Sequence, residues 1–396
     1  MRRLFRQSGA FPIGLDFWAG GARLMQLGKS RRGYQLIAAA VAELDTSAAQ
    51  LNEDARFRTL LDTIHRRVEA AGFSGRKCVI SVEDMLLRVK AIRLPVMPSA
   101  DSEKAIRLEA SDRLGFGEET MAEIGWISAG EVRQGDDVRE ELILVGAERS
   151  KLEMIVDGVA AMGLQPIAVE PGFLATARCF ARDLRRTSDA EIVRFVIDVG
   201  YLTTSVSILR GMDVVFYKRV EIGGRAMNAA AAERLRLDQE TIADLRRQRM
   251  EANAEGRTAS DERVDRALFT AIRPLIDELA HEVSLCLRYH SVSFRGQRPD
   301  KVVVVGGDAH EPGLVKALFE ALHVTVEIGC PLDQISLTSA PSFIERQKSH
   351  AQWTVAIGLS LRGDASLIPL TERSDGQGRL LARARKSDLT GRKEAA

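Results

Sequence analysis

Two aspartates close short apolar runs, and each run is followed by a turn and a second strand. Asp16 ends Ile13-Gly14-Leu15-Asp16 ahead of Ala22 to Leu27, and Asp198 ends Val196-Ile197-Asp198 ahead of Thr203 to Leu209. A pair of hairpins that each open on a carboxylate could hold a hydrated divalent cation, and turns with glycine, Ser and Thr add donors for phosphate. The second hairpin has these parts. Gly200 lets backbone come close, Thr203 and Thr204 bring hydroxyls, and Asp198 is placed to reach a metal-bound water. An ordinary strand-turn-strand with a solvated aspartate has the same pattern, and both readings stand at this level. No Ser-His-Asp or Cys-His constellation is visible, and His290, His310 and His323 have no partner at a useful spacing. Cys78, Cys179, Cys286 and Cys330 are far apart inside apolar runs, which argues against structural zinc and disulfides and fits a reducing cytoplasm.

The two hairpins need elements that bring them face to face. The first seventy residues read as three strands (Pro12 to Asp16, Ala22 to Leu27, Tyr34 to Leu44) and an amphipathic helix from about Asp54 to Ala71 carrying Leu60, Leu61, Ile64 and Val68. A buried strand, Lys77 to Ser81, follows. From Val82 to Leu164 the pattern changes to strand, helix, two strands (Glu123 to Ile127, Glu140 to Val145) and helix, a β-α-β-β-α module that reads as an insert, because the chain then resumes with Pro166 to Val169 and another helix. The second half repeats the opening. Val193 to Asp198, Thr203 to Leu209 and Val214 to Glu221 are strands, Gly223 and Gly224 lead into a helical region to Arg295 with a turn at Ala252 to Arg257, and a last strand, Lys301 to Val305, meets Gly306 and Gly307. Pro312 then opens a helix, and Thr354 to Arg362 is an apolar closing helix. Two related halves facing each other form a cleft.

Size and charge narrow the function classes. The 396 residues are 45% hydrophobic and 28% charged, enough for two domains with cores. Fifty-six Lys and Arg nearly cancel 55 Asp and Glu, so nothing in the global charge steers the chain toward nucleic acid. The start, Met-Arg-Arg-Leu-Phe-Arg, leads to an apolar stretch broken by Pro12 and ended by Asp16, too short and too polar for export, and no run is long enough for a membrane span. The polar, basic stretch 364–396 reads as a disordered tail.

Several segments, in this order, resemble the type IV pilus assembly PilM family of the actin-like superfamily, relatives of the division protein FtsA. They are the hairpin Ile13 to Leu24, Ile92-Arg93-Leu94-Pro95-x-x-Pro98, the helix Ala105 to Ala110, and Val169-Glu170-Pro171. Asp198-Val199-Gly200 through Thr204, Ile222-Gly223-Gly224, Val305-Gly306-Gly307 with Pro312-Gly313-Leu314, and Ala356 to Gly363 complete the set. Each is weak alone, and the likeness lies in their order over residues 10 to 363. It implies an α/β, two-lobed actin-like fold of the duplicated ribonuclease H type. The first lobe is 1–81, completed by 165–190 and 346–363, the inserted β-α-β-β-α subdomain is 82–164, and the second lobe is 191–345. It also implies ATP and magnesium between the lobes, and a partner, the cytoplasmic amino-terminal segment of a PilN-like inner-membrane protein.

What the resemblance implies for single residues is uneven. Asp16 and Asp198 would hold magnesium through water, and Gly20, Gly21, Gly200, Thr203 and Thr204 would line the phosphates. The first hairpin departs from the family pattern, in which glycine and then Ser or Thr follow the aspartate. Trp18 and Ala19 stand there, an indole where a phosphate needs room and a residue without a hydroxyl, so nucleotide binding is weakened unless Gly20 and Gly21 form a displaced nest. Gly306 and Gly307 suit an adenosine contact, the alternative being a βα turn that needs glycine for packing. Arg246 stacks on a base or is solvated helix surface with Arg247, at a turn where the family has Glu and Lys. Glu170 stands where related ATPases position a water, the one candidate catalytic residue, or is a helix N-terminal acid favoured by the dipole.

These readings point to a scaffold of pilus assembly or a related secretion machine, cytoplasmic and peripheral to the inner membrane through its partners. Those partners would be a PilN-like peptide, other pilus assembly components and, by self-association, further copies of the chain. Partner binding biased by nucleotide is expected rather than turnover. The alternatives are an active ATPase or sugar kinase on the same fold, for which no first-lobe loop offers a suited catalytic Asp, and an FtsA-like filament protein. The latter would want an amphipathic membrane helix, whereas Arg379 to Lys393 has only Leu380, Leu381 and Leu389 as anchors. In the tail, Ser366-Leu367-Ile368-Pro369-Leu370 resembles the Asn-Leu-Leu-Pro segment of the PilN-like partner, which suggests a tethered competitor for the partner's groove.

Overall fold

The computed structural model describes residues 9–44, 51–97, 99–117, 119–134, 137–184, 187–257, 261–293, 298–299, 301–345 and 348–367. The chain opens with a meander, β1 (Ile13–Trp18), β2 (Gly21–Ser30) and β3 (Gly33–Glu43). Helix α1 (Glu53–Ala71) follows, started by Asn52, whose side chain accepts from the Ala55 amide, and ended by Gly72 in the left-handed region. Its buried residues Leu60, Ile64 and Val68 lie on the expected stripe. β4 (Lys77–Val82) then enters the sheet parallel to β1.

The insert comprises β5 (Arg88–Pro95), α2 (Ser99–Leu114), β6 (Ala122–Gln134), β7 (Asp137–Glu148) and α3 (Arg149–Ala161). Its strands form a separate sheet in the order β5-β7-β6. β6 and β7 are longer than the apolar runs indicate, because their charged outer ends continue the ladder past a bulge at Ser128 to Gly130. Leu152, Ile155 and Val159 of α3 share the core of Ile64, Val68 and Ile80. The insert's last helix therefore packs on the first lobe as well as on its own strand β7, whose Ile143, Val145 and Ala147 belong to the same core.

The chain returns through β8 (Gln165–Pro171), parallel to β4, and α4 (Gly172–Ala181). The second lobe begins with β9 (Val193–Val199), β10 (Thr204–Arg210) and β11 (Asp213–Val220). Helices α5 (Gly224–Leu235), α6 (Gln239–Ala254) and α7 (Glu262–Ser293) lead to β12 (Lys301–Val305), α8 (Leu314–Leu322) and β13 (Thr325–Ile328). The two large sheets have matching orders, β3-β2-β1-β4-β8 and β11-β10-β9-β12-β13, each with an antiparallel meander and parallel fourth and fifth strands. The sequence echo is thus a duplicated topology, and it sets Asp16 and Asp198 at equivalent places.

Three local expectations are corrected. Lys301 to Val305 is not the last strand, because the half-buried β13 adds an edge that its weak apolar pattern hides. The helix does not open at Pro312. It starts at Leu314 after Gly313 in the left-handed region, leaving a buried turn between Gly307 and Pro312. The helical region breaks a second time at Arg236, left-handed at φ 57°, where Asp238 caps α6.

Helix α9 (Thr354–Leu361) crosses back onto the first lobe. A Cβ at Gly358 would lie 1.8 Å from the carbonyl oxygen of Ala175, so only glycine lets α9 and α4 approach this closely. The residues just after it are ordered, although the sequence places a disordered tail from 364. Asp364 pairs with Lys29 at 2.6 Å, accepts from Tyr34 at 2.9 Å, and Leu367 is buried beside Leu27 and Trp353. Residues 368–396, with most of the expected competitor segment, lie outside the described residues. Among the described residues no helix is long and apolar enough to cross a membrane.

Candidate functional site

The site is assembled where the two meanders turn. Asp16 stands opposite Arg23 in the β1 and β2 ladder, and its Oδ1 accepts from the Ser81 hydroxyl at 2.7 Å. Trp18 folds back over the turn. Its Nε1 lies 2.7 Å from where a Cβ on Gly20 would be, so a side chain at Gly20 would have to displace the indole. The guanidinium carbon of Arg23 sits 4.0 Å over the same ring. Burial lowers the Arg23 pKa, while Asp16, Asp198, Glu43 and Asp308 pull it upward, so acids of both lobes surround this cation. Among the described residues Arg23 makes no hydrogen bond or ion pair, which leaves its donors for a ligand. Sequence reading missed Arg23, although its place opposite Asp16 in a two-residue hairpin could have found it.

In the second hairpin the expected phosphate contacts divide. The Gly200 amide donates to the Thr203 carbonyl at 3.0 Å and closes the turn. The Thr204 hydroxyl is fully buried and donates to the Ile222 carbonyl at 2.7 Å, so its proton holds the lobe together and is not available to phosphate. The Thr203 hydroxyl has no such partner among the described residues. Gly306 lies in the left-handed region at φ 99°, and a Cβ there would meet Asp198 Oδ1 at 2.4 Å. Gly307 has open space where a Cβ would stand, a surface a flat ligand could approach.

Arg246 corrects both of its readings. It is 2% exposed, and all five of its N–H groups are engaged inside the second lobe. Nε donates to Glu311 at 3.0 Å, Nη1 to the Gly224 carbonyl and Asn228 at 3.0 and 2.7 Å, and Nη2 to Asp308 and Glu311 at 2.8 and 2.7 Å. Arg249 grips the other oxygen of Glu311 at 2.5 Å and also pairs with Asp265. The buried turn after Gly307 thus supplies the acids that hold α6, while Asp265 ties it to α7. The polar character of α6 gave no sign of this, because Asp308 and Glu311 lie 62 to 65 positions away.

Glu170 is likewise reassigned. It is the next-to-last residue of β8, not the start of a helix, and is 1% exposed. Arg178 donates to both of its oxygens, at 2.5 and 3.1 Å, and Arg362 joins from beyond α9. Burial works against ionisation, but the two arginines hold the carboxyl below the usual range. A carboxylate so engaged fastens β8, α4 and α9 together and is not free to position water.

The cleft acids have the opposite character. Burial pushes Asp16 up to about 6, against Arg23 and Ser81, and pushes Asp198 up to about 7, where Asp84 and Asp16 add to the effect. Asp84, just past β4, is raised to about 6 by burial although Tyr217 donates to it. Acids from both lobes therefore feel one another, and Arg23 and Arg219 offset their burial only in part. Among the described residues no three His, Cys, Asp or Glu side chains converge closely enough to hold a metal by themselves.

A pH effect follows. Between the ordinary value of 3.8 and about 7, folded Asp198 keeps a proton that the unfolded chain has released, so rising pH costs stability until the folded group ionises. The buried His290 and His350 and the partly buried His310, whose pKa values burial lowers, act in the opposite sense below 6.5. Comparing Asp198→Asn with the parent isolates the aspartate. The variant should melt higher at pH 8 and lose this advantage at pH 5, at about 2–4 °C per kcal/mol. An advantage of equal size at both pH values would contradict the assignment.

A family model described as type IV pilus assembly protein PilM matches residues 14–364. Among solved structures, a PilM-PilN type IV pilus biogenesis complex matches with a TM-score of 0.71 and 21% identity, over 90% of this chain and 99% of that one. The ethanolamine utilization protein EutJ from Carboxydothermus hydrogenoformans matches with a TM-score of 0.46 and 14% identity, over 89% of each chain. A Bacteroides thetaiotaomicron protein with an actin-like ATPase fold matches with a TM-score of 0.42 and 11% identity, over 84% of this chain and 95% of that one.

Proposed function

Since the chain belongs to the type IV pilus assembly PilM family and has a two-lobed actin-like fold, we propose that it is a cytoplasmic scaffold of pilus assembly that binds the amino-terminal segment of a PilN-like inner-membrane protein. The match over residues 14–364, both lobes and the insert together, carries this reading. A scaffold of this kind stands at the inner membrane through its partner and meets further assembly components on other faces.

Nucleotide acts in this reading as a modulator. Arg23 and the Thr203 hydroxyl would meet the phosphates, the open backbone at Gly307 the adenosine, and Asp16 and Asp198 the water shell of magnesium. In bound Mg-ATP the cation would face Asp16 and Asp198 and the phosphates Arg23, and these contacts from both lobes would draw the lobes together. The engagement of Glu170 by Arg178 and Arg362 favours binding over turnover.

Calorimetry of the full chain with a peptide of the PilN-like protein's cytoplasmic segment, with and without Mg-ATP, tests this function. Saturable binding in either condition is expected, stronger with nucleotide. Absence of peptide binding in both would overturn the scaffold reading, and equal affinity in both would overturn the modulator.

A further inference from the structure

The insert's sheet has the order β5-β7-β6, and among the described residues β5 pairs with no strand but β7. A groove runs along its outer side in two joined parts. One, of about 450 Å³, is lined by Leu87 to Lys90, the end of α2 and Arg219 of the second lobe. The other, of about 310 Å³, continues along Lys90 to Leu94 and is walled by Glu109, Arg113, Tyr289 of α7 and Glu141 of β7, the last paired with Arg93 at 2.9 Å. Together they follow β5 for nearly its whole length, roughly 25 Å at a strand's rise per residue.

Cations outnumber acids along the groove. The larger part presents Arg88, Lys90, Arg113 and Arg219 against Asp112. Arg113 is paired with Glu109 and Arg219 with Glu221, and Arg88 stands 3.9 Å from Glu148. Lys90 is exposed and has no ion pair among the described residues. Arg219 is held across the lobe boundary, donating to the carbonyls of Asp84 and Leu87 at 2.6 and 3.1 Å, so one wall is fixed. In the narrower part Ala91 is exposed, so no side-chain bulk at that position covers the edge. An open edge attracts a further strand through its backbone groups, and the charge lining the groove selects which one.

From the edge, the groove and its charge, we infer that β5 is a docking strand for an extended acidic segment of a partner protein, which adds as a fourth strand with its carboxylates over Lys90, Arg88 and Arg113. A segment seated there touches both the insert and the second lobe, so its binding fixes one against the other. The groove adjoins the cleft at Asp84, whose carbonyl Arg219 holds, but the inference does not depend on nucleotide binding.

A fluorescent peptide of four Val-Glu repeats, titrated into the full chain and read by anisotropy, tests the inference. Binding is expected, with slowed amide exchange confined to residues 88–95. Lys90→Glu, an exposed change whose folding is checked by its melting temperature, should weaken binding about tenfold, as should raising salt beyond a short Debye length. The same peptide N-methylated at every second residue keeps its charge but cannot extend the ladder, and should bind at least about tenfold more weakly. Equal affinity of the methylated peptide, equal affinity of a Val-Lys peptide, or no binding of the Val-Glu peptide would each overturn the inference.

Discussion

Replacing Trp18 with glycine and Ala19 with serine is expected to strengthen Mg-ATP binding by at least about tenfold, since a hydrogen bond to a charged phosphate contributes roughly 1.5–3 kcal/mol. In the parent protein the indole fills the space over Gly20 and stacks with Arg23, whose guanidinium carbon is 4.0 Å above the ring. Removing it opens the turn and releases a cation that has no other hydrogen-bonding partner among the described residues. The serine adds a hydroxyl where the hairpin has none. Calorimetric titration of both proteins with Mg-ATP measures the change, and Arg23→Ala in the variant background should cancel the gain. If affinity is unchanged by the double substitution, the hairpin already binds phosphate with Trp18 in place, and the steric argument is lost.

The largest expected loss of stability lies in the second lobe, at Glu311. Its two oxygens hold Arg246 and Arg249, and both arginines are nearly inaccessible to solvent. Glu311→Ala leaves two buried cations short of a carboxylate, at a cost of about 3–5 kcal/mol. Asp308 and Asp265 still face Arg246 and Arg249 respectively, which sets the effect toward the lower end. Urea unfolding followed by circular dichroism should show the second lobe unfolding at lower denaturant. Arg246→Met with Glu311→Leu should lose less than the sum of the two single substitutions, because neither partner is then left buried alone. Strictly additive losses would mean that the two side chains do not interact as the geometry shows.

Much of the fold was legible in the residues themselves. The apolar strand, the closing aspartate and the following hairpin recur after Asp16 and after Asp198, and that recurrence became two sheets of matching strand order. Local patterning suffices there, because strand alternation and turn residues act over a few positions. The unfavourable first hairpin was legible for the same reason, since Trp18 and Ala19 are neighbours of the aspartate whose ligand they obstruct. The weak edge strand β13 and the left-handed turn at Arg236 were not, because half-burial and tertiary packing overrode propensities that are small.

The roles of the charged residues were decided only by the tertiary structure. Arg246 looks like a surface arginine of a polar helix, and Glu170 like a free carboxylate before a proline. Each is buried in a network whose other members come from distant parts of the chain: Asp308 and Glu311 for Arg246, and Arg362 for Glu170. The same holds for Asp198, whose carboxyl rises to about 7 because folding buries it and brings Asp84 and Asp16 near. A sequence fixes which side chains carry charge and where local geometry repeats. Whether a charge is solvated, paired or left waiting for a ligand depends on desolvation and on Coulomb partners that only chain closure brings within a few ångströms.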